Sequence, residues 1–385
     1  MFQLIKTDKH DNLISKILFT SYFIYQFLFV FSVSELARQL AIVYSVTTKL
    51  IIFFFLIIMF CAAYKLLRGY FNKTEIIILF IVGIICLISL YNYRVVMVTS
   101  NIFAITAFKG EDYKKIIKYY VYASSSAFIL NIILGLVTPF NGNAVQSRYG
   151  APRTRYGLGF YYTTICHFYF MSIVLAYLVY REKLKLIEYA VIFVINLILF
   201  LLGDTKAPFA YIILVLIMHF ILEKFDKSFI YKIFENFTII SYPFCFIVSY
   251  ITYVLYNPAN PIFEMINRIL TGRLGLTQNA LKANVITIFG QTSPIWKAGE
   301  FYIDSSFIIM LVLNGVLVTI ICLAFSTFFC YISAKTKKTA LLIALLLIAI
   351  RSMYDFGFMA MQLSPFTLLF YPVLTEYLEE RGRTI

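Results

Sequence analysis

The chain has 385 residues, of which 61% are hydrophobic and only 14% are charged. This composition excludes a soluble globular protein, because a soluble fold of this size needs far more polar surface. The formal net charge of +14 comes mostly from lysines in short segments between apolar runs. It therefore indicates membrane topology and not binding to nucleic acid.

Apolar runs of about 20 residues, the length that crosses a bilayer, recur from the beginning of the chain to its end. They predict an all-α polytopic membrane protein, a single integral membrane domain over 1–385, with about twelve transmembrane helices. No cleavage site of small residues follows the first run, so we expect that run to be retained as a span. The predicted spans are 13–33, 40–64, 75–92, 95–108, 117–138, 158–180, 186–202, 207–222, 237–256, 304–331, 339–356 and 358–378.

The basic residues predict the orientation of these spans. With the N-terminus inside, 21 of the 33 lysines and arginines fall on the inner side. Positive charge is enriched in cytoplasmic segments, so we expect both termini in the cytoplasm of a multi-pass cell-membrane protein. Of the inner 21 residues 17 are lysine, whereas eight of the outer 12 are arginine. Topology explains lysine inside, but arginine outside requires another explanation.

Two long outer segments carry most of that arginine. The segment 139–157 contains Arg148, Arg153 and Arg155, and the segment 257–303 contains Arg268 and Arg273. Arginine stays charged at any cellular pH, and its planar fork binds phosphate oxygens in pairs. We therefore expect the two segments to form one outward-facing candidate active site for an anionic substrate.

The second segment also has a helix pattern. Asn260 followed by Pro261 is a good helix start, and isoleucines recur on one face over 262–269. Gly272 is a plausible stop. We expect a short amphipathic helix at the outer membrane surface, with Arg268 on its polar side.

Two further ionisable residues lie where spans meet the outer surface. Lys206 follows the turn between two spans and either binds substrate or pairs with Asp204. Asp304 stands where the long segment re-enters the membrane, and it either orients substrate or caps a helix. Inside the spans, His167 is expected to be a hydrogen-bonded core residue. Arg351 and Asp355, four residues apart, are expected to form an ion pair within one helix.

Several of these pieces resemble a known family. The stretch 153–160, which reads RTRYGLGF, resembles the Arg-x-x-Gly-Leu-Gly-Phe segment of Wzy-type polysaccharide polymerases, a group related to the O-antigen ligases. The pieces at 270–274, 280–281 and 288–291 are similar to that family's second large loop, and 302–307 with Asn314-Gly315 is similar to its entry into the next span. The resemblance covers roughly 150–320.

The resemblance implies a substrate and a reaction. The substrate is an oligosaccharide on polyprenyl pyrophosphate, and the enzyme polymerises such repeat units into a surface polysaccharide with lipid pyrophosphate as the leaving group. Fixed guanidinium groups can stabilise the charge that develops on that group. The candidate catalytic residues are Asp304, Arg273 and Arg155. The candidate substrate-binding residues are Arg153, Arg148, Arg268, Lys206, Tyr156 and Tyr161.

No metal and no cofactor is expected, since the donor is already activated and no nucleotide-binding glycine motif is present. Membrane lipid, a flippase and a chain-length regulator are expected partners. The sequence departs from the family where a His-Pro-Asn-like stretch often follows Gly-Phe, because 161–164 reads YYTT. It also has Asp204-Thr205-Lys206 where Ser-Arg is common. A ligase of the same group remains an alternative, and so does a lipid-linked sugar flippase or other transporter. A transporter should place its ionisable groups near the middle of its spans.

Overall fold

Long apolar helices make up most of the chain. A computed structural model describes residues 9–93, 97–148, 151–224, 229–270, 272–292, 303–355 and 357–382. Within these ranges, nine helices are long and apolar enough to cross a membrane. The protein is therefore an all-α multi-pass membrane protein, as the apolar runs predict.

The helices occur in three groups along the chain. Those before the first arginine-rich segment are α1 (Lys9–Ser32), α2 (Glu35–Gln39), α3 (Ala41–Leu67), α4 (Lys73–Tyr93), α5 (Met97–Ala107) and α6 (Tyr113–Val137). Those that follow it are α7 (Thr163–Arg181), α8 (Leu186–Gly203), α9 (Lys206–Lys224), α10 (Phe229–Leu255), α11 (Pro261–Ile269) and α12 (Arg273–Ala283). The last group is α13 (Ser306–Ile309), which continues as a π-helix over Met310–Asn314, then α14 (Val316–Lys335), α15 (Thr339–Ser352), a 3-10 helix over Pro365–Leu369 and α16 (Phe370–Glu379).

Two of the predicted spans are short helices. The helices α5 and α15 are apolar but shorter than the nine long ones. At 1.5 Å per residue, the 14 residues of α15 reach about 21 Å, less than the hydrocarbon thickness of about 30 Å. The count of about twelve spans stays a prediction.

The predicted span 304–331 is not one continuous helix. The π-helical turn ends at Gly315, whose φ of 91° belongs to the left-handed region, and α14 begins after it. Only glycine fits at this break, because a Cβ at position 315 would lie 2.2 Å from the backbone nitrogen of Gly290. The Val316 N–H, freed by the break, donates to the carbonyl of Thr287 at 3.0 Å. A second segment thus satisfies the backbone groups that a broken helix exposes.

The last predicted span, 358–378, is only partly helical. Its first residues form an irregular buried segment, and regular helix begins at Pro365. The carbonyl of Gln362 in that segment accepts from the Gln26 side chain at 3.0 Å and from the Tyr120 hydroxyl at 2.9 Å. Irregular backbone is tolerated at this depth because neighbouring helices supply hydrogen bonds.

The helix α15 is the centre of the C-terminal half. All residues from Ala340 to Ala349 are buried, and the helix packs against α7, α9, α10 and α14. An apolar helix in a membrane can face lipid or protein, and α15 faces protein on all sides over this stretch.

The first arginine-rich segment contains a β-hairpin that the sequence did not predict. Strand β1 (Ala144–Arg148) pairs antiparallel with β2 (Ala151–Arg155). Arg148 stands opposite Ala151, and Arg153 stands opposite Gln146. The pairing brings Arg155 back to Ala144, at the base of the hairpin, where the chain meets the helices.

Candidate functional site

A cavity of about 890 Å³ opens at one end of the helix bundle. Its walls come from the hairpin base, from the beginnings of α7 and α9, from the chain just after α15, and from α11 with the beginning of α12. The lining side chains are Arg155, Tyr162, Thr164, Phe168, Asp204, Thr205, Lys206, Ala207, Pro208, Tyr211, Pro261, Glu264, Met265, Arg268, Ile269, Leu270, Arg273, Tyr354 and Asp355. Both arginine-rich segments therefore contribute to one cavity.

Arg155 is held rigidly in the wall on the hairpin side. Its side chain is buried, at 5% exposure, and its Nε donates to the carbonyl oxygen of Gly203 at 2.7 Å. This bond fixes the guanidinium against the turn between α8 and α9. A buried charge that is tied to backbone is pre-organised for a ligand, since little side-chain entropy remains to be lost.

The glycines of the family-like motif explain why Arg155 takes this position. A Cβ at Gly157 would lie 2.2 Å from the carbonyl oxygen of Gly142, and one at Gly159 would lie 1.9 Å from that of Asn131. Gly159 also has a φ of +81°, which L side chains rarely adopt. Only glycine lets the chain after Arg155 approach α6 so closely.

Arg273 lines the same cavity from the second arginine-rich segment. It is the first residue of α12, and its Nε lies 3.2 Å from a carboxylate oxygen of Asp304. Its Nη1 donates to the carbonyl of Tyr354. About a quarter of each side chain in the pair is exposed, 27% for Arg273 and 29% for Asp304. Arg273 lines the cavity, whereas Asp304 is not among the described lining residues and meets the cavity only through Arg273.

Burial raises the pKa of the Asp304 carboxyl above its ordinary value. The nearby Asp355 carboxylate acts in the same direction, and Arg273 acts in the opposite direction. Helix capping does not account for Asp304, because the N-cap of α13 is Ser305, whose side chain accepts from the Ile308 N–H. A carboxyl with a raised pKa beside an arginine can orient or deprotonate a hydroxyl.

The helix α11 forms part of the cavity wall. Asn260 caps it by accepting from the N–H groups of the first turn, so the predicted helix and its predicted start are confirmed. Arg268 is 79% exposed and pairs with Glu264, one turn back, at 2.9 Å. The position of α11 at a membrane surface stays a prediction.

Of the other candidate residues, some line the cavity and others do not. Lys206 is exposed on the cavity wall at the first position of α9. Tyr156 and Tyr161 do not line the cavity, and the Tyr161 ring instead faces Arg38 at 5.3 Å. The side chains of Arg148 and Arg153 lie outside the described part of the structure, as do residues 293–302 of the second segment. Tyr162, the residue after Tyr161, does line the cavity.

The sequence missed the floor of the cavity. Asp355 lines it although only 4% of its surface is exposed. The predicted ion pair with Arg351 is present at 3.2 Å, but α15 ends at Ser352, so Asp355 lies beyond the helix and the pair is not within one helix as predicted. The Arg351 guanidinium lies over the Phe168 ring at 4.3 Å. Tyr211, one turn beyond Lys206, also faces the cavity. The four-residue spacing indicated the ion pair, but nothing local indicated that it would meet the two arginine-rich segments.

Four cationic side chains, Arg155, Lys206, Arg268 and Arg273, and three carboxylates, Asp204, Glu264 and Asp355, line the described cavity. The cations come from both arginine-rich segments and from the start of α9, so residues far apart in the chain could contact one bound anion. Exposed apolar side chains of α11, including Met265 and Ile269, lie among them. The arrangement suits a ligand with an anionic group and an apolar part. Comparison of the chain with family models, with curated proteins and with solved structures gave no match.

Proposed function

We propose that this protein is a membrane glycosyltransferase. It joins polyprenyl-pyrophosphate-linked oligosaccharide repeat units into a surface polysaccharide at the outer face of the cell membrane, and both of its termini are cytoplasmic. One observation carries the proposal: Arg155 and Arg273, from two separate segments, line a single cavity. The expectation that no metal and no cofactor takes part stays a prediction.

The cavity suits the proposed reaction in size. Its volume of about 890 Å³ lies within the range of about 300–1,000 Å³ that is usual for small-molecule sites. It can accommodate a pyrophosphate and the sugar next to it, while the rest of the glycan and the lipid extend outwards. Exposed apolar residues of α11 provide a surface for the lipid.

The chemistry needs charge stabilisation and one proton acceptor. The bond between the anomeric carbon and the pyrophosphate oxygen breaks, and a bond to the acceptor hydroxyl oxygen forms. Arg155, Lys206 and Arg273 stabilise the negative charge that develops on the pyrophosphate. The proposed acceptor of the hydroxyl proton is Asp304, which pairs with the cavity residue Arg273 at 3.2 Å and whose pKa burial raises.

The two alternatives differ from this proposal in what they would transfer. A ligase of the same group would use the same donor and a different acceptor, so the same cavity would serve it. A flippase or other transporter would move the intact lipid-linked sugar. The cavity's charges lie at one end of the helices, at the first residues of α9 and α12, which favours an enzyme over a transport path through the bundle.

Purified protein in detergent, incubated with lipid-pyrophosphate-linked repeat units, tests the proposal. A ladder of longer glycans is expected from the wild type and none from the double variant Arg155→Ala/Arg273→Ala. Arg68→Ala is the matched control, since Arg68 is exposed and stacks on Tyr64 at 5.5 Å, away from the cavity.

Three other outcomes have defined meanings. No ladder from the wild type, with flipping of the lipid-linked sugar in proteoliposomes, would replace the proposal with a transporter. Transfer to an added acceptor without chain growth would indicate the ligase. An unchanged ladder from the double variant would contradict the role of the cavity.

A further inference from the structure

A buried histidine lies directly beneath the cavity. His167, in the second turn of α7, is 1% exposed, and both nitrogens of its ring have a partner. Nδ1 meets the Thr205 hydroxyl, and Nε2 lies 2.6 Å from the side-chain oxygen of Asn196. The Asn196 side-chain nitrogen in turn donates to the carbonyl of Phe209 at 3.2 Å. These bonds connect α7 and α8 to Thr205, just before α9, and to Phe209, in its first turn.

These hydrogen bonds determine which ring nitrogen of His167 carries the proton. Because the Asn196 nitrogen donates to a carbonyl, its oxygen faces the ring and can only accept, so Nε2 carries the proton. A neutral ring then has a lone pair on Nδ1, which accepts the hydrogen of the Thr205 hydroxyl. His167 is thus a fixed donor and acceptor with both functions in use. It has neither the exposure nor an unused nitrogen to act as a base on a substrate.

What the histidine holds is the turn between α8 and α9. Asp204 in this turn has a φ of 49°, a left-handed conformation that is unusual for a residue other than glycine. The carbonyl of Gly203, just before Asp204, accepts a hydrogen bond from the Arg155 Nε. Lys206, two residues after Asp204, lines the cavity. A strained turn persists only where the surrounding structure holds it. The bond to Thr205 lies at the centre of that turn.

We infer that His167 is a positioning residue for the anion-binding wall of the cavity: through Thr205 and Asn196 it sets the place of the Gly203 carbonyl, and so of the Arg155 and Lys206 cations. The inference rests on the proposed function for the identity of the anion, a pyrophosphate. Loss of the histidine shifts the turn, and a displacement of about 1 Å at a positioning group can lower a rate about 100-fold.

The test measures binding of inorganic pyrophosphate to purified full-length protein in detergent by calorimetry, alongside the glycan ladder. His167→Leu should weaken binding about 10-fold, and His167→Gln, which keeps one donor and one acceptor, should lose less. In an Arg155→Ala background the further effect of His167→Leu should fall to about twofold, because residues that act through one another are not additive. In the ladder assay kcat should fall more than KM rises.

Ser172→Ala is the matched control. Ser172 is buried in the same helix, and its hydroxyl bonds within that helix, to the Phe168 carbonyl at 3.0 Å, so pyrophosphate affinity should not change. If His167→Leu does not assemble in the membrane, the same cycle is run with His167→Gln. Two results would overturn the inference. In the first, His167→Leu lowers the melting temperature but leaves the pyrophosphate affinity of the assembled protein unchanged. In the second, His167→Leu lowers the affinity equally with and without Arg155.

The inference and the proposed function can fail separately. If the wild type binds pyrophosphate but forms no ladder, the proposed function is wrong, and the binding measurements on the His167 and Arg155 variants still test the inference. A ladder together with fully additive variants would overturn the inference alone. A wild type that does not bind pyrophosphate would overturn the anion site and the inference with it.

Discussion

Replacing Arg155 by lysine separates charge from geometry. Lysine keeps the positive charge, but it lacks the Nε–H that donates to the Gly203 carbonyl at 2.7 Å and the planar fork that binds two phosphate oxygens. Because Arg155 is 5% exposed, water cannot readily replace the lost donor at that carbonyl. The unsatisfied carbonyl costs about 1–3 kcal/mol of stability. The rate falls for a second reason: loss of a pre-organised donor to the developing charge costs about 100-fold or more, and the retained charge of lysine offsets part of that loss.

We therefore expect Arg155→Lys to lower the initial rate of chain growth about 10- to 100-fold. Arg155→Ala, which removes a pre-organised donor and its charge, should lower it by at least about 100-fold. The assay is the glycan ladder from purified protein, with melting temperature and membrane yield as checks on assembly. Lys114→Ala is the control for loss of charge, since Lys114 is 58% exposed and its pair with Glu182 has an N–O distance of 3.5 Å. Full activity of Arg155→Lys would refute the argument from geometry, and full activity of Arg155→Ala would refute the pyrophosphate assignment.

Four other predictions follow from the same structure. Asp304 must be ionised to accept a proton, so activity should fall as the pH drops through its raised pKa, which lies above the ordinary value of about 4. In a pH–rate series, Asp304→Asn should abolish this fall of activity at acid pH. If the fall persists in the variant, another group causes it. Gly159→Ala should destabilise the protein by at least about 2 kcal/mol, read as a lower melting temperature, because φ is +81° and a Cβ would lie 1.9 Å from a carbonyl oxygen. Arg268→Ala should reduce activity by less than about 10-fold, because an exposed pair within one helix is worth under about 1 kcal/mol, and a loss as large as that of Arg155→Ala would contradict this. A tag after Ile385 should be inaccessible from outside intact cells, and labelling from outside would reverse the predicted orientation.

Local patterns in the sequence determined the features that depend on near neighbours. Apolar runs long enough to cross a bilayer identified a multi-pass helical protein, because the length of a span is set by the thickness of the membrane. The cap at Asn260 and the isoleucine spacing placed α11 correctly, since a helix start and an amphipathic face are both local properties. The spacing of Arg351 and Asp355 predicted their ion pair for the same reason.

Only the tertiary structure decided which residues meet. In a bilayer every face of a span is apolar, so periodicity does not reveal which face packs against protein or which span lies at the centre. The sequence therefore did not show that α15 is buried on all sides, that the span at Gly315 is broken because Gly290 lies against it, or that Arg155 and Arg273 share a cavity. It also did not show that Arg273 pairs with Asp304 or that the Tyr161 ring lies against Arg38 and does not line the cavity. Such contacts join residues far apart in the chain, and their energies depend on the packed helices that bring them together.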